Sequence, residues 1–119
     1  MSKRSLEARL ADIKTRILRI QESEALLNDA EQNCDTVLAE VAFDAILYGL
    51  LVIGEAVRAL PQEFLESHSE IPWSEIVSAR NILAHEYFRV DARIIRATLD
   101  APLMDLFRVC GGTGFRQKI

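Results

Sequence analysis

From Asp35 to Leu60 the chain runs without a proline, stops at Pro61, and carries its most apolar window, the thirteen residues from Val41 to Ile53, in its middle. A stretch that oily has to be covered. A membrane span needs about 20 apolar residues, and this window is shorter and contains Asp44. It therefore reads as a long buried helix at the centre of a bundle, opened by Asp35 as N-cap and closed by the proline. No membrane is expected as a partner.

The rest of the chain supplies helices to pack on it. Leu6, Leu10, Ile13, Ile17, Ile20 and Leu27 recur at three- and four-residue steps, placing one apolar face on a first helix over residues 3–27, with a break at Asn28 and Asp29. Residues 61–66 make a short helix, and Ser67-His68-Ser69 an exposed loop with an ordinary surface histidine. Pro72 at the first helical position and Glu75 in the first turn open a helix to about His85. Asp91 caps a last helix with Ile94, Ile95, Leu99, Leu103, Leu106 and Phe107 on its apolar face, kinked or restarted at Pro102. Only five glycines and three prolines interrupt 119 residues, half of them apolar, which fits one domain. No alternating strand pattern is present. The expected fold is all-α, an antiparallel up-down bundle of four to five helices over residues 1–110, followed by a tail, residues 111–119, in which glycines oppose helix.

On the central helix, Glu40, Asp44, Tyr48, Glu55 and Arg58 project at about 0, 40, 80, 60 and 0 degrees at 100 degrees per residue, one narrow polar stripe. It is either the solvent face of a core helix or the lining of a polar cleft. Charge is unevenly spread. Residues 1–19 hold six bases and two acids, residues 20–79 one base, Arg58, against twelve acids, and residues 80–119 seven bases and four acids. The net charge of −4 argues against a nucleic-acid-coated surface, while the basic last third leaves room for a local phosphate-binding patch. Cys34 and Cys110 form neither a C-x-x-C pair nor a metal-ligand cluster with His68 and His85, so both are expected as reduced core thiols, with no metal and no cofactor. Met1-Ser2-Lys3-Arg4 leads straight into a charged segment rather than a secretory signal, and the expected location is the cytoplasm.

The chemistry collects at residues 80–87. Arg80-Asn81-Ile82-Leu83-Ala84-His85-Glu86-Tyr87 brings a permanent cation, an amide, an imidazole and a phenol to the end of a helix. Asn81 and His85 share a face, whereas Arg80 lies about 140 degrees from His85 and reaches the same space only through its long side chain or a loosened helix end. Arg89, Arg93 and Arg96 follow at four- and three-residue spacing as one basic stripe, either a contact for RNA backbone or a solvated face.

Arg80-Asn81, three residues, His85, one residue, Tyr87 is the R-N-x-x-x-H-x-Y pattern, and in it the chain resembles the HepT-like ribonucleases, a branch of the HEPN superfamily. Val52-Ile53-Gly54-Glu55-Ala56 is similar to that family's second-helix signature, and Ile71-Pro72-Trp73 to the segment leading into its motif helix; Phe88 and Asp91 also fit. The resemblance covers about residues 6–108. Gly49, where many members carry a polar residue, is a departure. The resemblance implies a HEPN-like fold and a metal-independent endoribonuclease toxin of a type VII-like toxin–antitoxin pair. It further implies a homodimer whose motif helices meet in a cleft, and a partner, an MntA-like minimal nucleotidyltransferase antitoxin, that in some members adenylylates the motif tyrosine, here Tyr87.

Metal-free RNA cleavage needs a proton taken from the 2′-hydroxyl, charge stabilised on the phosphorane and a proton given to the 5′-oxygen, leaving a 2′,3′-cyclic phosphate. Histidine serves either transfer and arginine's planar fork fits phosphate oxygens. His85 is thus the expected general base or acid and Arg80 the transition-state clamp, with a second histidine supplied by His85 of the partner subunit. Asn81 orients His85 or a phosphate, or makes only a helix-face hydrogen bond. Glu55 positions Arg80 or His85, or is an internal helix-packing ion pair. Trp73 reads as core or dimer anchor. The rival is a non-catalytic helical module that holds substrate for a nucleotidyltransferase.

Overall fold

The protein is described by a computed structural model covering residues 5–85, 97 and 100–111. Those residues form five helices and no strand: α1 (Leu6–Gln32), α2 (Thr36–Arg58), α3 (Gln62–Ser67), α4 (Trp73–His85) and α5 (Asp100–Val109). Tyr87, Phe88, Arg89, Asp91, Arg93, Arg96 and residues 112–119 lie outside the described residues.

Side-chain caps start the two long helices. The Ser5 side chain accepts the Ala8 N–H at 3.1 Å, and Asp35 Oδ1 accepts the Leu38 N–H at 3.0 Å, as expected of an N-cap at that position. The end of α1 differs from expectation. Instead of breaking at Asn28-Asp29 it continues to Gln32, because Ala30 is buried there and the stop comes later. The Asp35 N–H reaches back to the Ala30 carbonyl at 2.9 Å and the Cys34 N–H to Glu31 at 3.3 Å, with Cys34 at φ 56°. This is the Schellman arrangement, in which a left-handed residue, usually glycine, closes the helix. It turns the chain within three residues, so α1 and α2 must run antiparallel. It also places Cys34 in solvent, correcting its expected burial; only Cys110 is a buried thiol.

α2 is the centre. It packs on α1 and on α4, and α5 packs on α1. The shared core draws on Ile13, Ile17 and Ile20, on Ile46, Leu47, Leu50, Ile53 and Val57, on Ile76 and Leu83, and on Leu103, Leu106 and Phe107. Each large side chain buried there contributes about 1.5–3 kcal/mol of transfer free energy. α2 is nevertheless not buried all round. Val37 is 71% exposed, and Val41 and Tyr48 are each 58% exposed, so the oily window has one face open. By length and composition alone α2 could cross a bilayer, but Gly49 and Gly54 are pressed against α1 and α4 within the bundle.

α3 joins α2 to α4 through an aromatic corner. Trp73, half-buried, donates its indole N–H to the carbonyls of Leu65 at 3.1 Å and His68 at 3.0 Å, satisfying the open end of α3. Phe64 stands between the His68 and Trp73 rings, 4.7 and 6.1 Å from their centroids. At the other end of the chain, Pro102 sits in the first turn of α5, where its missing N–H has no intrahelical role, and Gly111 at φ 84° follows that helix.

Candidate active site

Glycine brings α4 close to α2. A Cβ built on Gly54 would stand 2.2 Å from Arg80 Cβ and 2.6 Å from its Cγ, so the bare backbone of α2 is what lets the arginine stem pass. The stem is thereby pinned, and Arg80 is only 22% exposed at its side chain. Its guanidinium emerges over the next residue of α2. Nη2 donates to Glu55 Oε2 at 2.8 Å and Nη1 to Asn81 Oδ1 at 3.0 Å. Since Glu55 is 61% exposed, this ion pair is worth no more than about 1 kcal/mol of stability. Its effect is geometric: two anchors fix the plane of the fork.

Of the roles open to Glu55, the structure therefore pairs it with Arg80. Asn81 also serves Arg80, and no hydrogen bond joins it to His85 among the described residues. His85 is exposed at the last residue of α4, on the stripe formed by Ser74, Ser78 and Asn81, while Arg80 turns sideways toward α2. Five residue steps along the helix take one to the other, about 7.5 Å along the axis. Among the described residues no hydrogen bond or ion pair joins them. Tyr87 and the Arg89, Arg93 and Arg96 stripe fall outside the described residues.

The polar stripe of α2 divides. Glu40, Asp44 and Tyr48 are solvent-facing, Tyr48 lying 5.4 Å beneath the Arg16 guanidinium of α1. Glu55 instead reaches α4 through Arg80, and Arg58 lies one turn further along α2, 3.9 Å from the same carboxylate oxygen. Gly49 belongs to neither part: its Cβ would meet Ile20 Cγ1 at 2.7 Å, so this departure serves α1–α2 packing. Two residues beside Glu55 were not among the expected site residues, Gly54, named only within the second-helix signature, and Arg58, named only on the polar stripe. The first carried a signal in the sequence, a glycine inside a long helix directly before Glu55. Among the described residues no group of three histidine, cysteine or acidic side chains is placed to hold a metal ion.

A protein family described as Ribonuclease HepT-like matches residues 9–111. Over 65 residues the chain is 49% identical to "Putative RNase TTE0752" of Caldanaerobacter subterraneus subsp. tengcongensis, covering 55% of this chain and 58% of that one. It is 39% identical over 62 residues to "Probable ribonuclease HepT" of Thermococcus cleftensis, covering 52% and 56%. With "Putative RNase MJ1380" of Methanocaldococcus jannaschii it shares 35% identity over 91 residues, covering 76% and 80%. The match spans little more than half the length of the first two relatives. No solved structure matches.

Proposed function

Because the chain belongs to the HepT-like ribonuclease family, we propose that it is an endoribonuclease that cuts RNA without a metal ion, works as a homodimer in the cytoplasm, and is the toxin of a pair whose other member is an MntA-like minimal nucleotidyltransferase. The observation that carries this reading is the anchored fork of Arg80. Of its five N–H donors, one is taken by Glu55 and one by Asn81, and three remain without a partner among the described residues. A planar cation fixed in orientation with donors to spare is suited to the extra charge that a pentacoordinate phosphorane places on its oxygens. On the same helix the exposed imidazole of His85 supplies the proton transfers. One histidine takes the 2′-hydroxyl proton as the oxygen attacks phosphorus, and a second protonates the departing 5′-oxygen. The second is His85 of the partner subunit. Its approach requires two copies to associate through surfaces adjoining α4, and the uncovered apolar side chains of α2 favour association.

The test is cleavage of a single-stranded RNA oligonucleotide by the purified chain in excess chelator. Products ending in 2′,3′-cyclic phosphate and 5′-hydroxyl are expected. Cleavage that returns only with a divalent ion, or that leaves 5′-phosphate, would replace the internal nucleophile with metal-activated water. No cleavage at all would favour the substrate-holding module. Silencing is tested at Tyr87: adenylylation two residues along the chain from His85 would add bulk and negative charge that oppose an RNA phosphate. Tyr87→Phe should remain toxic beside the nucleotidyltransferase and gain no adenylate mass. A Phe variant that is still modified and silenced would place the acceptor elsewhere.

A further inference from the structure

Residues 20–79 contain twelve acids and a single base, and that base, Arg58, stands beside the proposed clamp. Arg58 Nη1 lies 3.9 Å from Glu55 Oε2, the same oxygen that Arg80 Nη2 reaches at 2.8 Å; the two distances together cap the nitrogen–nitrogen separation at roughly 7 Å. Two guanidiniums from two helices thus flank one carboxylate. A basic residue in the last turn of a helix offsets the macrodipole, and an exposed pair three residues apart adds little. Neither effect requires the cation to share the oxygen that anchors Arg80. At 3.9 Å Arg58 is beyond hydrogen-bonding distance of Glu55, and it has no other hydrogen-bond partner among the described residues, so its donors are open to a ligand.

The charge count selects that ligand. Arg58 itself contributes a single positive charge, which a phosphodiester, carrying one negative charge, neutralises. A terminal phosphate monoester carries up to −2 and would press its additional charge on Glu55. We infer that Arg58 is a second phosphate contact, holding an internal phosphodiester of RNA next to the one on which Arg80 acts, so that the strand passes from α2 to α4 over Glu55. This rests on the ribonuclease reading above. It assigns Arg58 to binding rather than to chemistry: its loss should weaken hold on the strand without removing the clamp or the imidazole.

The experiment uses the full chain and a single-stranded RNA oligonucleotide, with kinetics measured on the otherwise native protein and binding on the non-cleaving His85→Ala background across a salt series. Arg58→Gln should raise KM about five- to tenfold while kcat stays within about twofold. The slope of log affinity against log salt should fall by about 0.7, the value for one phosphate contact on a single strand. Arg58→Lys should recover most of KM, and removing the oligonucleotide's 5′-phosphate should change neither constant. Unchanged KM and salt slope in a folded Arg58→Gln protein overturns the inference, as does a loss confined to kcat, which would mean Arg58 acts only through Glu55 on Arg80. Dependence on the terminal phosphate overturns the choice of phosphodiester. Failure of the native chain to bind or cut RNA fells the ribonuclease reading and this one with it, whereas native cleavage with an unaltered Arg58→Gln fells this one alone.

Discussion

Adding one methyl group at Gly54 should nearly silence the protein while leaving it folded. The alanine Cβ would stand 2.2 Å from Arg80 Cβ, where carbon atoms settle at about 3.5–4.0 Å, so roughly 1.5 Å of separation has to be found. Arg80 Cβ is bonded directly to the α4 backbone and cannot rotate aside, so the helices themselves must part. Overpacking of this kind costs about 1–3 kcal/mol, and exchanging a helical glycine for alanine returns about 1 kcal/mol. The net destabilisation is then about 0–2 kcal/mol, a fall in Tm of no more than roughly 10 °C for a chain of this size. Catalysis has no such offset. A displacement near 1 Å costs about 100-fold in rate when geometry carries the reaction, and here it also pulls the guanidinium from Glu55. Gly49→Ala is the matched control, because it adds the same methyl to the same helix against the Ile20 side chain on the α1 side. Thermal melts and kcat/KM on an RNA oligonucleotide should show Gly54→Ala about 100-fold slower and Gly49→Ala within a few-fold of native. A folded Gly54→Ala enzyme at native rate would refute the argument that this contact sets the arginine's position.

His85→Ala should abolish cleavage with an unchanged melt, since the side chain is exposed, and Arg80→Lys should lose at least 100-fold because a point charge cannot reproduce the fork; both are read by the same assay beside circular dichroism. Glu55→Gln should lower kcat/KM about tenfold while changing stability by less than about 1 kcal/mol, the value of an exposed pair, as measured by urea denaturation. Cys34→Gly should stabilise by about 0.5–1 kcal/mol in the same denaturation assay, because the left-handed backbone at φ 56° costs a side-chain-bearing residue about 1–2 kcal/mol and glycine's greater unfolded freedom returns part of it. Burial pushes the Cys110 thiol up from 9.0 to about 11, with Lys14 pulling weakly the other way. The folded state therefore holds this proton more tightly than the unfolded chain, so the stability it contributes is complete below pH 9 and lost as pH rises to about 11. Cys110→Ala should flatten that alkaline limb in pH-dependent melts.

Asp35 could be read as the start of α2 because an aspartate before a long apolar helix has a local job, accepting an N–H of the first turn. The end of α1 could not. Cysteine does not advertise a left-handed backbone, and only the packing of Ala30 and the returning chain impose one. The apolar window from Val41 to Ile53 likewise marked α2 as a buried helix but not which of its faces is covered, so Val41 was counted toward a core that does not enclose it. At the site, the motif located Arg80, Asn81 and His85, yet whether Glu55 served the arginine or the histidine depended on how α2 and α4 approach each other. That approach is set at Gly54, whose place inside a long helix shows in the sequence but whose partner, 26 positions further on, does not.

Trp73 is the only tryptophan in the chain, and its indole N–H is shared between two carbonyls at the close of α3 while its backbone begins the helix that carries Arg80. Its fluorescence is therefore an unlabelled optical gauge of how α4 is seated. A ligand that tilts the helix must strain or release those two bonds, and emission wavelength and quenching will change with it. A ligand gripped by the arginines over a stationary α4 will leave the spectrum unmoved. Stopped-flow mixing with a non-cleavable RNA analogue can thus separate capture of the strand from any readjustment of the frame that follows.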